Sequence, residues 1–268
     1  MSLSHNPVSD SKIMRIDVLT IFPDMFSGPL TESLVKKARE KNIIDIRLSD
    51  IRSFTTDKHH SVDDRPFGGG PGMVMKPEPI YRALKNSGVR IKKNMPAWPE
   101  TTVPLAIYLS PQGTQLSQDI VRKLARYRHL VLLCGHYEGI DERALSWLNQ
   151  EISIGDYVLT GGELPAMVLI DSVVRMLPGV VKEAGSVERD SFYDGLLDYP
   201  HYTRPAKYRG RGVPEMLFSG HHAMVEQWRR EQSLRATLLK RPDLLKKAAL
   251  SDKDREILAK YKKQRKVR

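Results

Sequence analysis

The chain has 268 residues, a net charge of +11 and an apolar content of 40%, a balance typical of water-soluble globular proteins. Its apolar runs all fall well short of the roughly 20 residues that a membrane-spanning helix requires. The N-terminal residues lack the apolar segment of a signal peptide. The single cysteine, Cys134, excludes an intrachain disulfide and indicates a reducing compartment. We therefore expect a cytoplasmic protein without a membrane partner.

Strands and helices alternate along most of the chain. Residues 1–13 are polar and are predicted to be a disordered extension. Hydrophobic patterns predict strands over 14–22, 43–48, 105–109, 129–134 and 152–154, and helices over 30–40, 77–87, 116–127, 140–148 and 163–177. This alternation predicts an α/β domain with a mainly parallel sheet. Residues 182–190 are polar and aperiodic, which is typical of an interdomain linker.

Positive charge is concentrated at the C-terminal end. Residues 223–268 contain 15 Lys and Arg against 6 Asp and Glu, so they carry +9 of the net charge. Ser251 is placed to cap a helix over 252–261, with Asp254 at the third position. A small, all-helical, basic domain is therefore predicted for 191–268. Its charge favours nucleic acid or an anionic membrane surface, although a solvated helix face would give the same count.

Three glycine-containing loops, 110–113, 135–139 and 154–163, follow the C-terminal ends of predicted strands. Glycine permits close backbone approach, and open α/β sheets bind ligands at the carboxyl ends of their strands. One such loop would be an ordinary tight turn, but three at one edge favour a ligand crevice. The glycine-rich segment 68–72 lacks the Lys and Ser or Thr of a phosphate-binding P-loop, and the dinucleotide fingerprint is missing from the sequence.

Other chemical patterns in the sequence are weak. The histidine pairs at 59–60 and 221–222 are adjacent, whereas a metal site on one helix face needs an i, i+4 spacing, so no zinc site is predicted. Cys134 ends a predicted buried strand, where packing is a more common role than catalysis. Asp190 lies at the end of the linker, and Arg175 lies near the end of an apolar helix. Patterns alone leave both functional and surface roles open for these two residues.

Long motifs in these stretches resemble one family. The sequence is similar to the bacterial tRNA (guanine-N1)-methyltransferases, which are SPOUT methyltransferases. The matching stretches run in the same order from about Met14 to the C-terminal helices and comprise 63–73 (DDRPFGGGPGM), 108–113 (YLSPQG), 135–143 (GHYEGIDER), 153–165 (SIGDYVLTGGELP), 171–179, 190–192 (DSF), 195–205 (GLLDYPHYTRP) and 217–223. One departure is His136, where arginine is more usual in the family.

The resemblance implies a SPOUT domain over 14–181, with helices on both faces of its sheet and a C-terminal trefoil knot that binds S-adenosylmethionine. It also implies that the basic domain over 191–268 binds tRNA. The residues that the resemblance assigns to the cofactor are Tyr108, Leu109, Ser110, Pro111, Gly135, Tyr137, Glu138, Gly139, Ser153, Ile154, Gly155, Asp156, Tyr157, Leu159, Gly161, Gly162 and Pro165.

The implied reaction is transfer of a methyl group to N1 of guanine 37, next to the anticodon. N1 of guanine carries a proton at neutral pH, and the resemblance assigns its removal to Asp190 as general base. Negative charge then moves onto O6, where the guanidinium of Arg175 would stabilise it. Family members are homodimers with the active site at the subunit interface. They also depend on magnesium, for which Glu138 and Asp198 are acidic candidates without a defined ligand set.

Two further residues are candidates for contact with the RNA, and two other functions would account for part of the sequence. Asp64 and Arg65 lie near the glycine-rich segment and are candidates for contacting the guanine or its neighbour. Another SPOUT enzyme, acting on ribosomal RNA or on a ribose hydroxyl, would share the cofactor loops. A catalytically silent nucleic-acid-binding protein would share the basic domain but would not need those loops.

Overall fold

The computed structural model describes residues 13–182 and 188–266, with side chains as far as Lys263. The chain divides into two compact units at the boundary between Lys182 and residue 183. These are called the first and the second unit below. Residues 1–12 of the predicted extension and 183–187 of the predicted linker lie outside the described residues.

The first unit contains a five-stranded sheet in the order β2-β1-β6-β5-β7, and every neighbouring pair is parallel. Its strands are β1 (Met14–Thr20), β2 (Ile44–Asp50), β5 (Leu105–Gln115), β6 (His129–Cys134) and β7 (Gln150–Ser153). Two short strands, β3 (Asp63–Asp64) and β4 (Val74–Met75), form a separate antiparallel pair. The helices are α1 (Ser33–Glu40), α2 (Pro77–Asn86), α3 (Gln118–Leu124) and α4 (Glu163–Arg175). The predicted α/β fold with a parallel sheet is confirmed.

Helices cover both faces of this sheet, as the resemblance implies. One core packs the sheet against α1, α3 and α4, and the other packs it against α2. The central strand β6 is buried almost throughout, which explains its uninterrupted apolar sequence, since parallel strands bury both faces. Within the described ranges, no helix combines the length and the apolar character needed to cross a membrane.

Strand β5 is longer than its apolar run predicts. The predicted strand ends at Leu109, but the observed one continues to Gln115 after a break in its pairing with β7. Leu109 and Thr114 both lie opposite Ile152, so residues 110–113 bulge out of the strand instead of ending it. Pro111 lies within the bulge, where its missing N–H does not interrupt the ladder.

Two predicted helices also take other forms. Residues 140–148 form only a 3-10 turn, Glu142–Trp147, whose start is capped by the side chain of Asp141 accepting from the backbone of Arg143. The predicted helix 30–40 is divided into a 3-10 turn, Pro29–Thr31, and α1. Both segments are short, and a few apolar residues at helical spacing do not distinguish a 3-10 turn from an α-helix.

The second unit contains helices α5 (His222–Lys240) and α6 (Asp252–Lys266) and a core that includes Leu234, Leu238 and Ile257. The predicted cap of α6 is confirmed. The backbone of Asp254 donates to Ser251 Oγ at 3.2 Å, and the backbone of Ser251 donates to Asp254 Oδ2 at 3.0 Å. These reciprocal bonds satisfy two groups at the helix start.

The prediction of an all-helical second unit is wrong in one respect. Strands β8 (Lys207–Tyr208) and β9 (Arg211–Gly212) form an antiparallel ribbon joined by a two-residue turn. Both turn residues, Arg209 and Gly210, have positive φ angles, of 47° and 80°. This is the backbone pattern of a type I′ hairpin. The ribbon is too short for an alternating hydrophobic pattern to reveal it.

Asp17 is a buried carboxylate on β1 that makes the stability of the first unit depend on pH. It accepts hydrogen bonds from Arg15 Nε at 2.9 Å and Nη2 at 2.7 Å, and its Oδ2 lies 3.0 Å from His129 Nε2. Burial raises the pKa of Asp17, but the contacts with His129 and Arg15 outweigh it and hold this pKa below its ordinary value. The ionised form therefore stabilises the fold above the ordinary carboxyl pKa of about 4, and this contribution is lost as the pH falls.

We expect Asp17→Asn to lower the free energy of unfolding at pH 7 by about 2 kcal/mol, since charged hydrogen bonds are lost. The difference from wild type should narrow as the pH falls below about 4. Urea unfolding at several pH values measures both effects. Asp45→Asn is the matched control, because Asp45 accepts from Arg47 at 2.7 Å in the same i, i+2 geometry but on the surface. An equal loss at every pH would contradict this account of Asp17.

Candidate active site

The three glycine-containing loops meet at the carboxyl edge of the sheet and line one cavity. They are the bulge 110–113 in β5, the loop 135–139 after β6 and the loop 154–162 between β7 and α4. All residues predicted to bind the cofactor line this cavity except Asp156. The cavity is also lined by residues that were not predicted, namely Gln112, His136, Ile152, Val158 and Thr160. Each of these adjoins a predicted residue in the sequence, and this adjacency was the available signal.

Glycines bring the loop backbones into direct contact around the cavity. Gly162 donates its backbone N–H to Gly135 O at 2.8 Å. A Cβ atom at position 162 would lie 2.8 Å from Cys134 Cα and 3.0 Å from Gly135 N, so backbone occupies the space of a side chain. A Cβ atom at Gly135 would lie 2.8 Å from the ring of Tyr108. The wall of the cavity is therefore built from close-packed backbone that only glycine allows.

A buried acid lies behind this wall. Glu163, at the start of α4, is only 1% exposed, and its Oε1 accepts a hydrogen bond from Thr20 Oγ1 at 2.8 Å. Its Oε2 lies 4.0 Å from His136 Nδ1. The ring of His136 packs edge-on against Phe22 and Tyr137, with centroids 4.8 and 4.9 Å apart. Glu163 thus links the end of β1 to the 135–139 loop, a role that the sequence patterns did not indicate.

Burial keeps two titratable groups beside the cavity, Cys134 and Tyr108, in their neutral forms. Burial raises the pKa of the Cys134 thiol well above its ordinary value, and the nearby Glu163 carboxylate adds to this. Burial likewise raises the pKa of Tyr108 to about 12. A thiol that stays protonated is a poor nucleophile, which agrees with the predicted packing role of Cys134.

The glycine-rich segment packs against the 135–139 loop. The backbone of Glu138 donates to Met73 O at 3.0 Å, and the backbone of Met75 donates to Gly139 O at the same distance. Gly72 lies so close to Glu138 that an added Cβ atom would be 2.4 Å from its Oε1. Asp64 and Arg65 line a separate, neighbouring cavity, which they share with residues 141–143. The segment therefore meets the 135–139 loop through its end, at 72–75.

The two predicted catalytic residues lie in different units. Arg175 is the last residue of α4 and is half-buried. Asp190 is half-buried near the start of the second unit, in a loop of residues 190–199. This 190–199 loop lines a cavity of the second unit together with residues of α5.

The predicted acidic candidates for magnesium do not form a ligand set. Among residues 13–182 and 188–266, no three His, Cys, Asp or Glu side chains are grouped as a metal ion would need. Glu138 belongs to the first unit and Asp198 to the second. The carboxylate of Asp198 accepts from the backbone of Tyr199 at 2.7 Å, and its Oδ2 lies 2.8 Å from His201 Nε2. Protein groups therefore already engage both of its oxygens.

Comparison with known proteins identifies the family. The model of the family described as tRNA (guanine-1)-methyltransferase TrmD matches residues 14–247. A tRNA (guanine-N(1)-)-methyltransferase from Endomicrobium trichonymphae is 61% identical over 87% of this chain and 100% of the relative. Proteins of the same name from Desulforamulus reducens and Geobacillus kaustophilus are each 52% identical, over 91% and 94% of this chain and 94% and 100% of the relatives. The chain belongs to the tRNA (guanine-1)-methyltransferase TrmD family.

Proposed function

We propose that this chain transfers the methyl group of S-adenosylmethionine to N1 of guanine 37 in tRNA, a modification that maintains the reading frame. Family membership supports the reaction, because relatives at 52 to 61% identity carry the name tRNA (guanine-N(1)-)-methyltransferase. The structural observation that supports it best is the glycine-walled cavity at the carboxyl edge of the sheet. This is where open α/β sheets bind their ligands.

The cavity fits an adenosine-containing cofactor in its chemistry. S-adenosylmethionine would supply an electrophilic methyl group on its sulfonium sulfur. Glycines in the wall would let a purine edge approach the loop backbone closely enough to pair with it, and Leu109, Ile154 and Leu159 offer apolar surface to its ring. We further propose that the chain is knotted here as in SPOUT proteins. In support, α4 follows the edge strand β7, yet Gly162, directly before α4, packs on Cys134 of β6, two strands away.

Asp190 is the proposed general base and Arg175 the proposed stabiliser of charge. The carboxylate of Asp190 would take the N1 proton, and the N1 lone pair would then bond to the methyl carbon as its bond to the sulfonium sulfur breaks, leaving a neutral thioether. The negative charge that develops on O6 is stabilised by a guanidinium, which is always charged at neutral pH. Arg175 ends α4, the helix whose first turn lines the cofactor cavity. Each residue thus belongs to a segment that the family motifs include.

We propose a homodimer with the active site at the subunit interface, so that Asp190 of one subunit acts beside the cofactor of the other. An exposed apolar face on the first unit supports this proposal. Leu164 and Val168 lie one turn apart on α4 and are 47% and 46% exposed. Phe22 and Met25 are also exposed, and they follow Thr20, whose side chain is hydrogen-bonded to Glu163 at the start of α4. Clustered exposed apolar side chains are typical of protein interfaces.

The second unit is the proposed tRNA-binding unit. Besides the basic helices, its β8–β9 ribbon exposes Lys207, Arg209 and Arg211 around the half-exposed ring of Tyr208. Such side chains neutralise phosphates and stack on unpaired bases, as in an anticodon loop. A tRNA substrate implies a cytoplasmic location. Magnesium dependence is a further part of the proposal, although the described residues supply no ligand set and none of the proposed steps involves the ion.

Methyl transfer to defined RNA tests this function. We expect labelled S-adenosylmethionine to label a tRNA transcript with guanine at positions 36 and 37, and to leave a transcript with adenine at 37 unlabelled. Labelling of ribosomal RNA fragments instead would support the other SPOUT function. Calorimetric titration with S-adenosylmethionine separates the third possibility, because a silent nucleic-acid-binding protein would not bind it.

A further inference from the structure

One arginine joins the loop that carries Asp190 to both long helices of the second unit. We propose that Arg230 is a positioning residue for Asp190, acting through its ion pair with Asp194 in the 190–199 loop. The proposal rests on the proposed role of Asp190 as general base. It adds a residue that does not itself touch the guanine but determines the position of the Asp190 carboxylate.

Arg230 binds two carboxylates from different segments. Its Nη1 donates to Asp194 Oδ2, while its Nε and Nη2 donate to the two oxygens of Asp254 at 3.2 and 3.0 Å. A guanidinium presents its donors in a rigid planar fork, so one side chain can fix two partners in a defined geometry. Arg230 belongs to α5 and Asp254 to the first turn of α6. The loop, α5 and α6 therefore meet at one guanidinium.

The contact between Arg230 and Asp254 holds the guanidinium firmly at the start of α6. Asp254 is 5% exposed and also forms the capping box of α6 with Ser251. The pKa of Asp254 is held below its ordinary value chiefly by the hydrogen bond from Arg230, against the effect of burial. The pKa of Arg230 is raised chiefly by the same bond. The loop side differs, because Asp194, which joins the loop to this guanidinium through its carboxylate, is half-exposed.

The rest of the 190–199 loop shows why this contact matters for Asp190. Leu197 is fastened to α5, since its carbonyl accepts from Ser233 Oγ and its N–H donates to Thr237 Oγ1. That anchor lies seven residues from Asp190. Asp194 lies nearer, in a turn where the backbone of Tyr193 donates to Asp190 O at 3.2 Å. On the other side of Asp190, Arg189 lies 3.7 Å from Glu226 of α5, a longer and more exposed contact.

This arrangement couples RNA binding to the chemistry. Arg230 joins the helices proposed to bind tRNA to the loop that carries Asp190. When tRNA binds to these helices, the carboxylate of Asp190 therefore has a defined position. A general base has to lie within hydrogen-bond reach of the proton it removes. Loosening the loop should therefore lower kcat, whereas tRNA affinity, which depends on phosphate contacts, should change little.

Asp194→Asn is the sharpest test. It removes the charge that faces Arg230 but keeps an acceptor for the backbone of Leu196, which bonds to Asp194 Oδ1 at 3.3 Å. It also leaves the partly buried Arg230–Asp254 pair intact, so the helices should stay folded. We expect kcat at saturating tRNA and cofactor to fall about tenfold, with KM for tRNA within about twofold of wild type. Asp194→Glu, which keeps the charge, should recover most of this loss.

Asp243→Asn is the matched control. Asp243 is similarly exposed and accepts from Arg241 Nη2 at 2.7 Å in the same unit, but it lies outside the 190–199 loop. We expect this variant to keep the wild-type kcat, and thermal unfolding should show all three variants folded at the assay temperature.

The possible outcomes separate the two proposals. If Asp190→Asn is inactive while Asp194→Asn keeps the wild-type kcat, the positioning role of Arg230 is wrong and the general base stands. If Asp194→Asn changes only KM or the unfolding temperature, the contact is structural and the proposal is again wrong. If Asp190→Asn keeps full activity, the assignment of the base fails, and the positioning proposal fails with it.

Discussion

Asp190→Asn is expected to lower kcat for methyl transfer about 1,000-fold, because a positioned general base contributes roughly 10²- to 10⁴-fold. The amide is nearly isosteric with the carboxylate but cannot take the N1 proton at neutral pH. Binding of S-adenosylmethionine should not change, since the cofactor cavity belongs to the first unit. Single-turnover assays with saturating tRNA, together with calorimetric titration of the cofactor, measure the two quantities separately.

Asp194 and Asp198 are acids in the same loop, so a general effect of removing negative charge there must be separated from loss of the base. Asp243→Asn supplies a charge-matched control elsewhere in the unit. A decrease in kcat of less than about tenfold in Asp190→Asn would show that another group removes the proton. Equal losses of kcat and of cofactor affinity would instead show that the variant disturbs the fold.

Gly162→Ala is expected to impair cofactor binding strongly. The new Cβ atom would lie 2.8 Å from Cys134 Cα and 3.0 Å from Gly135 N. These are backbone atoms of a buried strand end and its loop, so they cannot move aside as a flexible side chain would. Overpacking of this kind costs about 2 kcal/mol, or roughly 30-fold in affinity if the wall of the cavity shifts to relieve it. Calorimetric titration with S-adenosylmethionine gives the affinity directly.

Gly212→Ala is the control for this substitution. Its φ angle lies outside the positive range, and an added Cβ atom would meet none of the described atoms within 4 Å. The cofactor affinity of this variant should equal that of wild type. Unchanged affinity in Gly162→Ala would mean that the cofactor does not depend on the contact between the 135–139 loop and α4, and the proposed site would have to be moved.

Mixing Asp190→Asn with Gly162→Ala, at a cofactor concentration too low to saturate Gly162→Ala, tests the shared active site. In a homodimer with subunits exchanged at random, about half of the dimers combine one Asp190→Asn chain with one Gly162→Ala chain. If Asp190 acts beside the partner's cofactor, one of the two sites in each such dimer is intact. We therefore expect about a quarter of the wild-type activity to return on mixing. No recovery, although mass spectrometry shows mixed dimers, would mean that base and cofactor belong to the same chain.

The sequence predicted the fold well where apolar runs were long. The bounds of β6 are as predicted, and α4 begins at the predicted Glu163 and ends two residues before the predicted end. Prediction was poorer where a strand is interrupted by a bulge but continues to pair with the same neighbouring strand. Residues 110–113 look like the end of a strand, yet β5 resumes pairing with β7 at Thr114. A bulge keeps a strand but breaks its local pattern, so periodicity cannot detect it.

The cavity was predictable in outline because glycine-rich loops at strand ends indicate close backbone approach. The side chains behind the loops were less predictable. Glu163 was placed in a loop motif, but its burial against Thr20 depends on a contact across 143 residues of chain. Asp156 lies between residues that line the cavity but is not among them, since neighbours in a loop point in different directions. The Arg230 junction joins three separate segments, and only tertiary structure reveals it.

The most direct test of the central claim is to identify the methylated nucleoside itself. A tRNA transcript with guanine at positions 36 and 37 is incubated with the protein, magnesium and S-adenosylmethionine, then digested and mapped by mass spectrometry. The account predicts N1-methylguanine at position 37 and its loss with Asp190→Asn. A methyl group on a ribose, on another base or at another position would contradict the proposed substrate, even if the cofactor binds as expected.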